Sequence, residues 1–527
     1  MIFTQRTKQH LKTGVVGCAL LWVVLYLLKR KSSVSPSGEE VEISKRSNDE
    51  YIYDSRQSTA PKIDKLAKLR QAIYDIKRPD DTKYAINETK SQTISVTRSI
   101  PDTRPPECLL KSYDIANLPT VSVIIPMYNE APSILLRTVH SFLSRTPPSL
   151  LADIIIVDDM STNENMKAPL TAYFHELSPV IKILRLVKKA HLIKARMAGA
   201  AVARGEVLLF QDGHTEANEG WAEPVLDYIR QHRNSIVQPT VDTVDQWTIE
   251  YEQASAENFD SKWRGVFLWD MRRWNGRYVS IICLAENPLL LQVMADIRCR
   301  AIPCPVLVGC SIAVHKEYFE EIGGFDTGLD VWGGEQIELS FRAWMCGGRV
   351  IIHPCGRAGH IFKPWMKSDL NWMTREKAIA KNNIRVGESW MERYVTYYYA
   401  SNRIYQVKQV ELTEEKLKCK DFDWYLKHVL PELTEPPRDA KYFGEIANVR
   451  SSSCLYAASD SYVGLTRDCY LYSRFQEQGE FAFKQDGRLM KGSQCVQVNN
   501  YGLLQLISCD LFLQHTELSP STSTELD

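Results

Sequence analysis

The sequence predicts an α/β fold built on a doubly wound sheet that binds a nucleotide, and three observations carry that prediction. Four short apolar-rich runs, Val121–Pro126, Asp153–Val157, Lys182–Val187 and Val207–Phe210, alternate with segments of helical periodicity. That alternation belongs to a parallel sheet with helices on both faces. Acids stand where two of the runs end, at Asp158-Asp159 and at Asp212, the edge at which open α/β sheets bind ligands. Neither a G-x-G-x-x-G turn nor a G-K-[ST] loop is present. Dinucleotide and ATP cradles are therefore excluded, and a nucleotide held here needs side-chain carboxylates and a metal.

The elements follow in order. Thr13 to Leu28 carries no charge and is flanked by Lys8 and Lys12 before it and Lys29-Arg30-Lys31 after it. As a helix it spans about 24 Å, slightly less than a bilayer core of about 30 Å, a gap that snorkelling lysines close. No small-residue cleavage site follows Leu28, so residues 13–28 read as a signal anchor behind a cytoplasmic tail over 1–12. Residues 29–106 are polar and poor in apolar periodicity, the composition of a stem. They contain the sequon Asn87-Glu88-Thr89, a glycosylation site in a secretory lumen.

Val121–Pro126 then reads as a buried strand ended by proline, with Asn129-Glu130-Ala131-Pro132 leading into a helix that carries Leu135, Val139, Phe142 and Leu143 on one face. The next strand ends at Asp158-Asp159, and the third leads through Lys188-Lys189 into another helix. The fourth ends at Asp212-Gly213-His214. If the strand continues, residues i and i+2 project to one side, so Asp212 and His214 point together. A carboxylate with a neutral imidazole suits a borderline divalent ion such as Mn²⁺. The 64 basic and 64 acidic residues balance to a formal charge of +0, which gives no reason to expect nucleic acid as a partner.

Ile124–Glu130, Val157-Asp158-Asp159, Leu192–Arg196, Asp212–Glu216, Pro239–Asp242 and Gly265–Trp269 resemble the successive motifs of the polypeptide N-acetylgalactosaminyltransferases. The resemblance is densest at Trp332–Gln336, Glu338–Arg342, Trp344–Gly348 and Pro354–Lys363, and it covers residues 105 to 400. It implies a GT-A-type nucleotide-sugar-binding domain over 107–435. It also implies a small, incomplete ricin-type β-trefoil lectin-like module over 441–520. The implied activity is Mn²⁺-dependent transfer of N-acetylgalactosamine from UDP-GalNAc to Ser/Thr hydroxyls of proteins, with retention, in the Golgi lumen on a single-pass type II anchor. By the same resemblance Asp212, His214 and His360 ligate Mn²⁺, while Asp159, Lys189, Gly213 and Lys363 lie along the nucleotide. Trp332 and Glu335 form the loop beside sugar and acceptor, as catalytic residues.

The resemblance also implies disulfides Cys108–Cys355 and Cys346–Cys419. Cys454–Cys469 and Cys495–Cys509 have near-equal spacings, consistent with two repeats that each close a loop. Of the 13 cysteines, Cys18 lies in the apolar segment, Cys283, Cys299, Cys304 and Cys310 receive no pairing, and no C-x-x-C pair supports zinc. A trefoil closes with three repeats, and two are visible here. The Asp that reads sugar in the family's repeats is missing from Cys454-Leu455-Tyr456 and Cys495-Val496-Gln497. Three departures touch the donor site: Val308-Gly309-Cys310 for Ala-Gly-Gly, Lys363 for Arg, and Pro364-Trp365-Met366-Lys367 without the loop's usual Tyr. They keep two alternatives open, a catalytically inactive relative that binds UDP or peptide or modulates a partner transferase, and a transferase for another UDP-sugar.

Overall fold

Each of the first three apolar runs is followed by a helix that returns the chain to the same edge of the sheet, and this makes neighbouring strands parallel. The computed structural model describes residues 60–74, 84–253, 261–267, 273–279, 299–363, 372–402, 419–431, 438–446, 453–457, 461–466 and 480–510, with a few isolated positions between. The chain divides into two units. Of the first, Met1–Lys65 with Ser280–Gln292, only the start of one helix is described; everything below belongs to the second. The cytoplasmic tail and anchor expected over residues 1–28 lie outside the described residues. Among those described, no helix is long and apolar enough to cross a membrane.

The described chain opens with α1 (Ala60–Tyr74) and α2 (Glu88–Thr93). It then alternates β1 (Val121–Met127), α3 (Pro132–Arg145), β2 (Leu151–Asp158), α4 (Ala168–Leu177), β3 (Ile181–Arg185), α5 (His191–Val202) and β4 (Val207–Gln211). Next come β5 (Thr215–Ala217), α6 (Ala222–Gln231), β6 (Ser235–Val244), β7 (Tyr251–Glu252), β8 (Ser261–Phe267), β9 (Arg273–Val279) and β10 (Ile302–Pro303). The catalytic half closes with β11 (Ser311–His315), α7 (Lys316–Glu321), α8 (Glu335–Met345), β12 (Arg349–His360), α9 (Trp372–Trp390), α10 (Val395–Asn402) and α11 (Phe422–His428).

The main sheet runs β10-β12-β6-β11-β4-β1-β2-β3, with β5 and β7 paired to β12 and β6. Strands β3, β2, β1 and β4 are mutually parallel, as the sequence pattern predicts. The other half is mixed: β11 is antiparallel to both neighbours, because the chain enters it from the ligand edge of the sheet. Both faces are buried. Ile124, Ile155, Leu208 and Phe210 face one core, and Val123, Ile125, Ile154, Ile156 and Leu209 the other, which is the period of two expected of such strands.

The stem expected over 29–106 ends earlier than its composition suggests. Ile73 packs into the core beneath β1, and Tyr84 and Ile86 pack with Ile134 of α3. Asn87 caps α2 by accepting from the Lys90 amide, 2.9 Å away. Arg98 then forks onto Glu216 of β5 at 2.6 and 2.9 Å, and the Thr103 hydroxyl donates to Asp242 of β6. A polar segment can be tightly packed when its polar groups, rather than apolar ones, make the contacts, and hydropathy does not register this.

The tail is all β. Strands β13 (Ala440–Glu445), β14 (Cys454–Ala457), β15 (Val463–Thr466), β16 (Glu480–Lys484), β17 (Leu489–Lys491), β18 (Gln494–Val498) and β19 (Leu504–Ser508) follow the helices. They form an antiparallel sheet β13-β16-β17-β18-β19 and a separate β14–β15 pair, around Leu455, Phe481, Val496 and Leu506. Disulfides join Cys108 to Cys355, Cys346 to Cys419 and Cys495 to Cys509, each as expected. Cys454 is disulfide-bonded, and the expected partner Cys469 lies outside the described residues, as does Cys283. Cys299, Cys304 and Cys310 are buried.

Candidate metal and nucleotide site

The site gathers at the C-terminal edge of β1 and β4, between which the strand order reverses direction. Strand β4 stops at Gln211, and Gly213 and His214 form a turn into β5. Asp212 and His214 are thus brought together by a turn and not by the extended i, i+2 geometry expected of a continuing strand. The turn is secured when the Thr138 hydroxyl of α3 donates to the Gly213 carbonyl, 3.1 Å away. His360 arrives at the end of β12, in register with Thr215 of β5. Ligand atoms of Asp212, His214 and His360 all lie within 4.8 Å of one another.

One carboxylate and two imidazoles converging at that distance fit a divalent ion of borderline softness. Nδ1 of His360 is buried without a hydrogen-bond partner, while its Nε2 lies 3.3 Å from Asp212. Burial raises the Asp212 carboxyl, but the His360 contact and the Arg196 charge outweigh it and hold the group at about 2. Burial likewise pushes His360 down, toward the neutral form that a metal ligand requires.

Behind the triad lies Arg196 of α5, a residue whose position in the motif gives no hint of a role. One guanidinium nitrogen donates to Asp212 at 3.1 Å and to the Gly309 carbonyl at 3.0 Å. Another lies 3.7 Å from Glu335, which is wholly buried at the start of α8. Arg196 and Glu335 both retain buried polar atoms without hydrogen-bond partners. Beyond its place in the Leu192–Arg196 motif, Arg196 is marked in the sequence only as a lone Arg between small and apolar residues, Ala195 and Met197-Ala198-Gly199-Ala200.

Glu335 accepts from the Gly333 amide at 3.0 Å, bracing the loop from behind, and burial raises its carboxyl. Gly333 and Gly334 take φ of +94° and +87°, and side chains there would press on Ile379 and Asn382 of α9. The double glycine is therefore a backbone requirement. It leaves Trp332 as the loop's exposed member, 38% accessible.

Asp159 is buried, and its two oxygens accept the amides of Ala190 and His191 at 2.6 and 2.9 Å, fixing the start of α5. Lys189 lies 3.6 Å from the same carboxylate and over the ring of Tyr128. Asp158 is structural: it accepts from the Ser161 amide and pairs with Arg185. Lys363 lies 2.6 Å from Glu130, whose other oxygen is 2.7 Å from Nδ1 of His214. Burial raises the Glu130 carboxyl, but Lys363 and His214 overcome this and hold it well below the usual range. In Val308-Gly309-Cys310, Gly309 has φ +99° against Gln336, Cys310 is buried, and Val308 is half-buried. Pro364–Lys367 lie outside the described residues.

The chain matches the model of glycosyl transferase family 2 over residues 122–323, and one described as the N-terminal domain of galactosyltransferase over 292–364. It is 37% identical over 445 residues to polypeptide N-acetylgalactosaminyltransferase 5 of Caenorhabditis elegans, covering 82% of this chain and 67% of that one. The chain belongs to the polypeptide N-acetylgalactosaminyltransferase family. Human polypeptide N-acetylgalactosaminyltransferase 10 is 39% identical over 396 residues, covering 72% of this chain and 62% of its own. Against the crystal structure of GalNAc-T7 with UDP, GalNAc and Mn²⁺, the TM-score is 0.61 at 29% identity, over 84% of this chain and 80% of that one. Within this GT-A family fold, Asp212 and His214 fall in the stretch matched by the first family model, and His360 and Lys363 in that matched by the second.

Proposed function

We propose that this protein transfers N-acetylgalactosamine from UDP-GalNAc to Ser or Thr hydroxyls of proteins, with Mn²⁺ at Asp212, His214 and His360. The convergence of those three side chains at the switch point of the sheet carries the reading. When bound, the ion supplies positive charge where negative charge develops on the departing UDP. Arg196 holds the Asp212 carboxylate in place and links it to Glu335. Glu335 acts through the Gly333 amide, so its task is to position the loop that offers Trp332 to sugar and acceptor. Lys189 and the Asp159-capped start of α5 form the wall assigned to the nucleotide.

The anchor at residues 13–28, a Golgi location with the catalytic domain lumenal and a glycan on Asn87 belong to the same proposal. They are supported by the uncharged segment, the sequon and the disulfides, which form in oxidising compartments. Residues 441–520 serve as a structural, lectin-like appendage that has lost the sugar-reading Asp.

A second reading has a specific observation behind it. Lys363, at the position given to the diphosphate, is already paired with Glu130, and Val308 adds bulk near Gly309. Both suit a relative that binds UDP without transferring sugar. The experiment is incubation of the purified protein with Mn²⁺, a panel of UDP-sugars and Ser/Thr-rich peptides, read by mass spectrometry. A mass gain of one N-acetylhexosamine from UDP-GalNAc is expected. UDP binding with no transfer from any donor would replace the enzyme reading with the binding one.

A further inference from the structure

Glu130 stands just beyond β1, and its carboxylate joins two distant parts of the chain. Oε2 lies 2.7 Å from Nδ1 of His214, and Oε1 lies 2.6 Å from Nζ of Lys363. Oε1 also accepts the Ala131 amide at 3.1 Å. The partners are 84 and 233 residues away in sequence, so the contacts are products of the fold and not of local chain geometry. The Gly213 Cα, between Asp212 and His214, also packs close to this side chain; a Cβ there would be 3.5 Å from the Glu130 Cγ.

A carboxylate only accepts, so the His214 proton sits on Nδ1 and the Nε2 lone pair is left for an ion. Lys363 satisfies the second oxygen and keeps the pair buried without a net excess of negative charge. Arg at that position has a planar fork suited to a diphosphate, whereas Lys363 is a single ammonium that gives one of its three donors to Glu130 and keeps the others for a phosphate.

We propose that Glu130 is a positioning residue that sets the metal affinity of the site through His214 and fastens Lys363 to the same carboxylate. The metal ligand and the diphosphate-side cation thereby form one mechanical unit. The proposal rests on Asp212, His214 and His360 being the metal site. Gln at this position cannot serve both partners: turning its oxygen toward His214 Nδ1–H aims its amide group at the Lys363 ammonium.

The test is Mn²⁺ binding to the full chain, followed by the electron paramagnetic resonance signal of free Mn²⁺, with no sugar or peptide present. Glu130→Gln is expected to bind Mn²⁺ about 10–100-fold more weakly than wild type, the usual effect of losing the group that orients a metal-bound histidine. Glu130→Asp, which keeps the charge, should recover part of that loss, and it decides the matter if the Gln variant fails to fold. Lys363→Met should bind Mn²⁺ within about threefold of wild type yet hold UDP more weakly at saturating Mn²⁺. Wild-type affinity in folded Glu130→Gln, alongside lost binding in Asp212→Ala, overturns the role of Glu130 and leaves the metal site standing. No Mn²⁺ binding by the wild type overturns the metal site, and the proposal with it.

Discussion

At the scale of single residues, Arg196 carries the heaviest electrostatic duty. Among the described residues it is the cation that faces both Asp212, which is half-buried, and Glu335, which is wholly buried. Removing one partner of a buried ionic group leaves the other uncompensated, at a cost of about 3–5 kcal/mol. Arg196→Met should therefore lose about that much unfolding free energy in urea titrations of the metal-free protein, whereas a surface Arg such as Arg233 should show almost none. His140 makes a different prediction. Its ring lies 2.7 Å from the Tyr173 hydroxyl, and burial, aided by the Arg70 charge, lowers it to about 4 from 6.5. As pH falls through 6.5 the unfolded chain takes up a proton that the folded one refuses. Stability from this residue is thus intact above that value and declines until about pH 4. Between pH 7.5 and 5 the loss is on the order of 2 kcal/mol. His140→Gln should flatten that part of the stability–pH curve; an unchanged slope would refute the assignment.

At the scale of elements, β1, β2 and β4 were legible because buried parallel strands are written as apolar runs, and helix α3 because its apolar face repeats at helical spacing. Asp212 and His214 were legible from their place after the fourth apolar run, but His360 only through family motifs, since it is 148 residues from Asp212 and no local pattern joins them. Glu130 and Arg196 fall inside family motifs, but their individual roles were not legible: a lone acid after a strand and a lone Arg on a helix carry no periodic signal. The packed part of the stem expected over 29–106 is hidden from composition for a related reason. Its anchors are polar side chains, Arg98 on Glu216 and Thr103 on Asp242, which hydropathy scores as solvent-exposed. Because Glu216 lies two residues after His214, this segment grips the strand leading out of the metal site. Arg98→Ala should cost about 1–3 kcal/mol in chemical denaturation, less than stranding a buried carboxylate, because Arg137 remains 3.9 Å from Glu216. A fragment starting at residue 107 should fail to give a cooperative unfolding transition, while one starting at residue 60 should give it. A cooperative transition in the shorter fragment would show the segment to be dispensable.

At the scale of the molecule, the parallel half of the sheet offers Asp159, Lys189 and Glu130, and the mixed half delivers His360 and the Gly309 loop. The site exists only where β4 joins the two. This division explains why the parallel half could be read from periodicity while β6, β11 and β12 could not: an antiparallel strand inserted among parallel ones has no sequence mark of its own. The tail shows the same limit, since its strands and the Cys495–Cys509 loop follow from spacing, but the order β13-β16-β17-β18-β19 does not. The central claim is that one metal ion, held by Asp212, His214 and His360, makes the sheet edge a UDP site. Calorimetric titration of UDP into wild type and Asp212→Ala, with and without Mn²⁺, tests it most directly. Wild type should bind UDP at least about tenfold more tightly with Mn²⁺, a difference of about 1.4 kcal/mol or more, and Asp212→Ala should show no such gain. Equal UDP affinity with and without Mn²⁺ in the wild type, or an undiminished Mn²⁺ effect in Asp212→Ala, would contradict it.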